Sequence, residues 1–383
     1  MRILLAQNRP RHGGGANNTF DMTVNLLKTK GHTVIPLALR SGDLTGLRGK
    51  LHAFTSGLYS HSAYSTMANL IKKEKPDIVH VHDLFPLLVW VLPACRKAGI
   101  PVVMSVHNYR LTCPTLFHLH EAEICEKCCG GREYWCILKN CRKNIWESTA
   151  YAIHNFVARK FRLFLENINL YLAGTEFQKN YLAKAGLPNK KLRVLPNMID
   201  PPKSATDTSR GKYVAYAGRF SAEKGIEVLL AAAELSPKVP IYLAGDHLAM
   251  PDLIRAASKN VHFMGHLTKG KLQEFYSKSR FLVVPSTWFE VCPLAILEAM
   301  GHGLPIIASR IGSLQEIVED GKTGLLFEKG NSEDLSRKIE LLWKDHDLCH
   351  KMSRACREKA IQAYSKEAHY TQLIALYNEA IQM

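Results

Sequence analysis

The sequence predicts an α/β protein with two domains, each built on a parallel β-sheet. Its 383 residues exceed the roughly 250–300 at which a single hydrophobic core stops growing. Short apolar strands alternate with helices along most of the chain, which is typical of a parallel sheet covered on both faces. A polar stretch with two adjacent prolines, around residues 198–212, interrupts this alternation, and we interpret it as the linker between the domains.

The first half of the chain repeats a strand and helix pattern. A strand at 3–6 leads into a loop with Gly13, Gly14 and Gly15, and a helix at 17–28 follows and ends at Gly31. The pattern continues with helices that end at Lys75 and before Gly99, and with strands at 77–81, 102–106, 170–172 and 192–195.

The second half repeats the alternation. Strands are predicted at 213–217, 241–244, 281–284 and 306–308, followed by a hairpin-like segment GKTGLLF and by helices from about 331 to 383. We therefore divide the chain into an N-terminal domain at 1–200, which the terminal helix at 365–383 rejoins, and a C-terminal domain at 201–364.

The charge of the chain is uneven. Residues 1–200 carry 27 Lys and Arg against 13 Asp and Glu, whereas the remainder carries 23 against 21. A one-sided basic surface attracts nucleic acid, an anionic membrane surface or an acidic substrate. No apolar stretch reaches the roughly 18 residues of a membrane-spanning helix, and the first residues lack the pattern of a secretory signal, so we expect a cytoplasmic protein.

Two carboxylates lie in the segment TWFEVCPLAILEAMGHGLP. Glu290 is predicted in the loop after the strand at 281–284, and ligands of open α/β sheets bind outside the carboxyl ends of strands. Pro293 suits the first turn of the helix that follows. That helix is apolar almost all round apart from Glu298, so this carboxylate is expected to find polar partners or to face a cavity.

Two cations lie in the turn GRFSAEKG, directly after the first strand of the second domain. Arg219 offers bidentate contacts and Lys224 offers a point charge, so the pair can converge on a diphosphate. Gly218 and Gly225 allow the backbone to approach such a ligand closely. The alternative is that both cations are solvated groups at the start of a helix.

Together these motifs resemble the retaining glycosyltransferases of family 4, the group 1 glycosyltransferases, which have the GT-B fold. The resemblance covers nearly the whole chain and rests on Glu290 with Glu298, Arg219 with Lys224, the glycine loop, and VLPNMID before the linker. It implies two Rossmann-like domains whose parallel sheets face a cleft. It also implies that the N-terminal domain binds the acceptor and that the C-terminal domain binds the nucleotide-sugar donor.

The resemblance implies a role for each charged residue. Glu298 would bind the ribose hydroxyls of the donor, and Glu290 would approach the sugar and its anomeric carbon. Arg219 and Lys224 would neutralise the diphosphate as the glycosidic bond breaks. Because these cations do the work of a metal ion, the resemblance implies that catalysis needs no cofactor or divalent metal.

Other donor contacts are implied at loops and at a helix start. Amides after Pro293 would add donors from a helix N-terminus, and a turn in VHFMGHLTK would hold the nucleobase. The residues concerned are Gly14, Gly15, Met264, His266, Pro293, Leu294 and Ala295.

His107 follows the strand at 102–106 in SVHNYRLTCP. A histidine or acidic residue at this place in the family lines the donor sugar and the reacting centre, which implies a catalytic role for His107; the alternative is a structural histidine. His80 and His82 are weaker candidates. No carboxylate occupies the place of a covalent nucleophile. The resemblance therefore implies a front-face displacement, in which the leaving phosphate helps to deprotonate the acceptor.

Six of the ten cysteines fall within residues 113–141. Cys125, Cys128, Cys136 and Cys141 have a spacing that suits a structural zinc ion, and free or redox-labile thiols and disulfides are the alternatives. The segment at about 113–145 resembles an insertion found in a subset of the family, on the acceptor side of the cleft.

The segment NIWESTAYAIHNFVARKFRLFL predicts a basic amphipathic helix. Apolar residues alternate there with Arg159, Lys160 and Arg162. Such a helix can lie in a membrane interface, or it can simply cover the sheet. The basic first half favours peripheral contact with the inner face of an anionic cytoplasmic membrane, since acceptors in the family are often polyprenyl-linked or otherwise anchored in lipid.

These predictions favour transfer of a sugar from a UDP-sugar or GDP-sugar to a glycan or lipid-linked acceptor, in the synthesis of cell-envelope polysaccharide. A sugar-nucleotide epimerase or a phosphorylase on the same fold is the alternative. A nucleic-acid-binding protein would account for the basic half but not for Glu298 or the cation pair. The sequence also lacks a basic and aromatic platform, so we expect no nucleic-acid partner.

Overall fold

The computed structural model describes residues 1–10, 14–246, 248 and 250–383, which form two compact units. The first unit contains residues 1–120, 125–196 and 369–383, and the second contains residues 121–124 and 197–368. Gly13, which belongs to the predicted glycine loop, lies outside the described residues.

The first unit contains a parallel sheet. Its strands are β1 (Arg2–Arg9), β2 (Thr33–Arg40), β3 (Ile78–Val81), β4 (Val102–Val106), β5 (Leu170–Ala173) and β6 (Leu192–Val194). They are arranged in the order β2-β1-β3-β4-β5-β6. Two further strands, Leu119–His120 and Glu123–Ile124, have two residues each.

Helices cover both faces of this sheet, and a short one, α5, packs against α6 instead. They are α1 (Gly14–Thr29), α2 (Gly46–Leu58), α3 (His61–Glu74), α4 (Val91–Lys97), α5 (Tyr134–Leu138), α6 (Ile145–Lys160), α7 (Leu163–Asn167) and α8 (Glu176–Lys184). Successive side chains of a strand point to opposite faces of its sheet. Accordingly, Leu4 of β1 packs in one buried cluster with Met67 of α3, and Ile3 packs in another with Phe20 of α1.

The second unit repeats this architecture. Its strands are β7 (Tyr213–Ala217), β8 (Ile241–Ala244), β9 (Val261–Gly265), β10 (Ser279–Val284), β11 (Ile306–Ser309) and β12 (Gly324–Phe327), all parallel, in the order β9-β8-β7-β10-β11-β12. Its helices are α9 (Ile226–Leu235), α10 (Pro251–Ala256), α11 (Lys269–Ser277), α12 (Leu294–Gly301), α13 (Leu314–Ile317), α14 (Ser332–Lys344) and α15 (His346–Tyr364). The predicted α/β class and parallel sheets are therefore confirmed.

The last helix is α16 (Lys366–Gln382), and its residues from His369 onward belong to the first unit. Its Leu373, Tyr377 and Ala380 are buried in the same cluster as Ile3 and Leu5 of β1. No helix among the described residues is both long and apolar enough to cross a bilayer.

Two predicted elements differ from the structure, and one strand was not predicted. The segment GKTGLLF does not form a hairpin, because Gly324–Phe327 pairs in parallel with β11 at the edge of the second sheet. The basic amphipathic segment is not one helix, since α6 ends at Lys160 and Arg162 adopts a left-handed backbone with φ of 50° before α7 begins. Strand β2, which the sequence pattern did not predict, is a largely exposed edge strand that contains Pro36.

Candidate active site

The strand order of the second sheet marks the place where a ligand is expected. Two loops leave the carboxyl ends of the neighbouring strands β7 and β10, where the order of the strands reverses. In open parallel sheets, ligands bind in the crevice between such loops. The turn after β7 contains Arg219 and Lys224, and the loop after β10 contains Glu290. Three predicted site residues therefore flank the switch point of this sheet.

Lys224 and Glu290 form a buried ion pair. The Nζ atom of Lys224 donates to Oε1 of Glu290 at 2.6 Å, and the two side chains are 17% and 5% exposed. The Ser286 hydroxyl donates to the same oxygen at 2.7 Å. Burial alone would raise the pKa of the Glu290 carboxyl, but the Lys224 charge and the hydrogen bonds from Lys224 and Ser286 outweigh it and lower the pKa. Glu290 is thus held as a carboxylate.

A backbone hydrogen bond joins the two loops, and a hydroxyl group from the segment after β11 holds the second of them. The Thr287 amide donates to the Glu223 carbonyl at 3.0 Å, and the Ser313 hydroxyl donates to the Glu290 carbonyl. Gly225 has a φ of 68°, and a Cβ atom there would lie 1.9 Å from the Pro285 carbonyl oxygen. Because only glycine fits this approach, Gly225 sets the distance between the turn and the loop.

Arg219 is the more available of the two cations. Its side chain is 52% exposed and pairs with Glu223 at 3.2 Å, within the same turn. The Tyr216 hydroxyl fixes the backbone by donating to the Arg219 carbonyl at 2.8 Å. Exposed ion pairs contribute about 0–1 kcal/mol. Arg219 can therefore exchange its contact with Glu223 for a contact with a phosphate at little cost.

Helix α12 begins at Leu294, one residue later than the sequence predicts. Pro293 has a ψ of 120° and precedes the helix rather than lying in its first turn. No described side chain caps this helix start, and Leu294 and Ala295 are half-buried there. The free amides of a first helical turn suit an anion.

Glu298 lies one turn further along α12 and is half-buried. The Tyr276 hydroxyl, which is fully buried, donates to its Oε2 atom at 3.4 Å. Burial raises the pKa of the Glu298 carboxyl. The expectation that this carboxylate finds a polar partner is confirmed.

The predicted nucleobase turn follows β9. Met264 is 42% exposed near the end of the strand, and His266 is exposed directly after it. Gly265 between them has a φ of 67° and accepts a hydrogen bond at its carbonyl from the Gly245 amide at 2.9 Å.

The first unit carries a stack of three imidazole rings. The His82 ring lies 4.5 Å from the His80 ring and 4.9 Å from the His107 ring, between centroids. Nδ1 of His82 and Nε2 of His107 are hydrogen-bonded at 2.7 Å, and Nδ1 of His80 is 2.7 Å from the Tyr377 hydroxyl. Burial lowers the pKa of His80 to about 3 and that of His107 to about 4. His107 is therefore neutral at physiological pH.

The other predicted residues of the first unit lie at the start of α1. Gly14 begins α1 with a φ of 45°, three residues earlier than the predicted helix start, and Gly15 follows it; both are exposed. The positive φ explains why glycine is suited to this helix start.

Comparison with known proteins decides the family. Residues 13–203 match the model described as glycosyltransferase family 4, and residues 199–359 match the model described as glycosyl transferases group 1. The chain belongs to this glycosyltransferase family.

Relatives of this glycosyltransferase include an α-D-kanosaminyltransferase of Streptomyces kanamyceticus, 25% identical over 90% of the chain and 88% of the relative. A sulfoquinovosyl transferase of Arabidopsis thaliana is 25% identical over 76% of the chain, which spans only 54% of that relative's length.

Solved structures place the glycosyltransferase in the GT-B fold. The sucrose-phosphate synthase of Thermosynechococcus elongatus has a TM-score of 0.74 at 20% identity, covering 99% of this chain and 98% of that one. Anabaena HepE, solved with UDP-glucose, has a TM-score of 0.70 at 18% identity, covering 99% and 100%.

The predicted zinc site is not formed. Cys128, Cys136 and Cys141 pack with Ala152 in a small apolar cluster to which Cys125 does not belong, and all four thiols are free. Over the described ranges, no three His, Cys, Asp or Glu side chains are grouped to hold a metal ion. These cysteines fit the alternative of free thiols, which behave as small apolar groups when buried.

We expect iodoacetamide to alkylate Cys141 before its neighbours. A hydrogen bond from Cys136 lowers the pKa of Cys141 to about 7, whereas burial raises the pKa of Cys128 to about 12 and that of Cys129 to about 11. Because the thiolate is the reactive form, although a thiolate of lower pKa is a weaker nucleophile, Cys141 should react at least about 10-fold faster at pH 7.5. Peptide mass spectrometry after timed alkylation measures this ratio, and equal rates at Cys128 or Cys129 would refute it.

Sequence reasoning missed several residues that hold the transferase's predicted site residues. Ser286 and Ser313 hold Glu290, and Tyr276 holds Glu298. Ser286 could have been found, because it lies two residues after the end of β10, in the same loop as Glu290. Tyr276 and Ser313 lie on other elements and carry no local signal.

Proposed function

We propose that the protein transfers a hexosyl group, with retention, from a UDP-sugar or GDP-sugar to a glycan or lipid-linked acceptor in cell-envelope polysaccharide synthesis. The observation that carries this proposal is the arrangement at the switch point of the second sheet. A buried Lys224–Glu290 pair lies there with the exposed Arg219 on the adjoining turn. The HepE structures, which contain UDP, UDP with glucose, or UDP-glucose, favour UDP as the first donor to test.

In this proposal the second unit binds the donor, and its cations stabilise the leaving diphosphate. Arg219 releases Glu223 and binds phosphate oxygens, while Lys224 adds its charge from beside Glu290. Amides of Leu294 and Ala295 donate from the start of α12. Groups that are already fixed in place stabilise developing charge without reorganising, which is the largest contribution to many enzymatic rates.

In the proposed reaction, Glu290 and His107 form hydrogen bonds with the donor sugar. Glu290 stays ionised beside Lys224 and accepts hydrogen bonds from the sugar hydroxyls. His107 is neutral, so it acts as a hydrogen-bonding group rather than as a cation. The leaving phosphate oxygen takes the acceptor's proton as the new bond forms on the same face, so that the configuration is retained.

We also propose peripheral contact of the first unit with an anionic membrane. Trp146, Phe156 and Phe161 are 81%, 47% and 63% exposed, and they belong to the same segment as Arg159 and Arg162. Exposed aromatic rings among arginines suit a lipid interface.

Glu298→Ala should weaken binding of the donor nucleotide at least tenfold. The carboxylate of Glu298 is proposed to accept both ribose hydroxyls, and hydrogen bonds to a charged group contribute about 1.5–3 kcal/mol each. Calorimetric titration with UDP and GDP measures the loss, and Glu333→Ala, at an exposed position of α14, is the control. Unchanged affinity in Glu298→Ala would rule out the ribose role.

A further inference from the structure

The hydrogen bond between His82 and His107 in the first unit leaves one buried nitrogen without a partner. Nδ1 of His82 and Nε2 of His107 are 2.7 Å apart. The His82 side chain is 1% exposed, and its second nitrogen, Nε2, has no hydrogen-bond partner among the described residues. Nε2 of His107 is engaged in the bond, so Nδ1 is the ring nitrogen that His107 keeps for a ligand. The ring that supplies the proton of this bond therefore determines whether His107 offers a donor or an acceptor.

Both imidazole rings are neutral, so each ring carries one proton on nitrogen. Burial lowers the pKa of His107 to about 4 and lowers the pKa of His82 well below the ordinary value of 6.5. In a neutral imidazole, one nitrogen is a donor and the other is an acceptor. Two arrangements of the protons are therefore compatible with a hydrogen bond between the rings.

The two arrangements differ in the group that is left buried at His82. If His107 donates from Nε2, the proton of His82 lies on its own Nε2, where it meets no acceptor in the described part of the chain. If His82 donates from Nδ1, its Nε2 is a bare acceptor, and the proton of His107 lies on Nδ1. Buried N–H groups without an acceptor are rarer in folded proteins than buried acceptors without a donor. The second arrangement is therefore favoured.

The neighbours of His82 fix the direction of its ring. The His80 ring lies 4.5 Å from it between centroids, and the Phe20 ring lies 5.1 Å from it in a T-shaped contact with an interplanar angle of 79°. The His80 ring is itself held at both nitrogens, by the Tyr377 hydroxyl at 2.7 Å and the Ser105 hydroxyl at 2.9 Å. Packing around the ring therefore holds Nδ1 of His82 in place for its hydrogen bond.

We propose that His82 is a positioning residue for His107, which it fixes as a hydrogen-bond donor at Nδ1. The consequence for the sugar rests on the proposed function, whereas the arrangement of the protons does not. Glu290 is held as a carboxylate by Lys224 and can only accept, so it binds a sugar hydroxyl through the proton of that hydroxyl. His107 donates instead, so it binds a sugar oxygen. The two residues therefore recognise different groups of the donor sugar.

NMR spectroscopy of the full chain, with histidine labelled by a heavy nitrogen isotope, tests the arrangement of the protons. Correlations between the ring nitrogens and the ring carbon-bound protons show which nitrogen of each neutral imidazole carries a proton. Signals are assigned by their loss in His107→Gln and in His82→Leu. We expect a proton on Nδ1 in both rings of the parent protein. A proton on Nε2 of His107 would overturn the proposal.

Two substitutions of His82 separate its hydrogen bond from its packing. The amide nitrogen of Asn is two bonds from Cβ, as Nδ1 of histidine is, so His82→Asn can still donate to His107, whereas His82→Leu cannot. His82→Leu should lower kcat/KM for hydrolysis of the donor sugar nucleotide about tenfold, the loss expected for one hydrogen bond, and should move the proton of His107 to Nε2. His82→Asn should keep that proton on Nδ1 and recover most of the activity.

The proposal is overturned if His82→Leu leaves the proton of His107 on Nδ1, or if His82→Asn loses as much activity as His82→Leu. His154→Leu is the matched control, because His154 is a 5% exposed histidine of the same unit whose Nε2 lies 2.8 Å from the Phe54 carbonyl oxygen. It should lower the Tm and leave the proton of His107 and kcat/KM unchanged. If the parent hydrolyses neither UDP-sugar nor GDP-sugar, the proposed function fails, whereas the NMR result still decides the role of His82 toward His107.

Discussion

Arg219→Ala should lower kcat at least about 100-fold and change the free energy of unfolding by less than about 0.5 kcal/mol. The loss of rate is expected because Arg219 is proposed to meet charge that develops on the leaving diphosphate. The small change in stability is expected because the Arg219 side chain is 52% exposed, and because the Glu223 carboxylate, which is 15% exposed, keeps its hydrogen bond from the Ser221 hydroxyl. Arg337→Ala is the control, since Arg337 is 67% exposed and pairs with Asp334 at 3.2 Å in the same unit.

Lys224→Ala should behave differently, because it removes one partner of a buried pair. Glu290 would remain 5% exposed without its cation, and such a loss costs about 3–5 kcal/mol of stability. Turnover should fall at least as far as in Arg219→Ala. Urea unfolding and steady-state kinetics on both variants separate the two effects.

The double variant Lys224→Met with Glu290→Gln tests whether the unpaired charge of Glu290 causes this loss of stability. It should regain much of the lost stability, because no buried charge is left and Ser286 can still donate to the new amide oxygen. It should not regain activity. Lys278→Ala, which breaks an exposed pair with Glu274, should affect neither property. If Lys224→Ala proved as stable as the parent, the buried pair would not hold the loop as described.

The second large effect that we expect is a strong dependence of the free energy of unfolding on pH. Burial lowers the pKa of His80 to about 3, and the pKa values of His107, His154, His302 and His369 to about 4, from the ordinary value of 6.5. The unfolded chain therefore binds more protons than the folded chain between about pH 4 and 6.5. Stability is fully present above pH 6.5 and is lost as the pH falls through this window.

The expected slope is about 1.4 kcal/mol per pH unit for each buried histidine, or up to about 7 kcal/mol per pH unit for these five together. Asp83 opposes the trend, because burial raises the pKa of its carboxyl to about 6 and the folded chain takes up its proton first. Urea unfolding measured from pH 5 to pH 7.5 gives the slope. His369→Gln should reduce it by about one histidine's share, whereas the exposed His346→Gln should not. A stability that does not change between pH 5 and 7 would contradict this account of the five buried histidines.

Sequence reasoning predicts the central strands of the two sheets better than their edge strands. Buried strands such as β7 and β8 are continuous apolar runs, and their predicted bounds are the observed ones. The edge strand β2 alternates weakly because most of its side chains are exposed, so it carried no clear pattern. The parallel pairing of Gly324–Phe327 is decided by β11 and not by the local turn residues, which favour a hairpin.

Sequence reasoning likewise predicts some features of the candidate site and not others. Arg219, Lys224 and Glu290 follow the ends of buried strands, so their nearness could be expected from the topology of a parallel sheet. The direct pairing of Lys224 with Glu290 could not, because the spacing of motifs does not say which side chains meet across 66 positions.

Residues that come together only through packing left no signal in the sequence. Tyr276 and Glu298 lie on different helices, α11 and α12, and only the fold brings them into contact. The cysteine spacing misled the zinc prediction for a related reason. Spacing indicates which thiols can meet, but only Cys128, Cys136 and Cys141 of the four pack in one cluster.

The most direct test of the switch-point site is calorimetric titration of Arg219→Ala and the parent protein with UDP, GDP and the matching nucleosides. We expect the parent to bind at least one of the two nucleoside diphosphates. Arg219→Ala should bind that diphosphate at least tenfold more weakly and should bind the nucleoside with unchanged affinity, because Arg219 is proposed to contact phosphate alone. Equal affinity of both proteins for the diphosphate would contradict the assignment of this turn to the donor's phosphates.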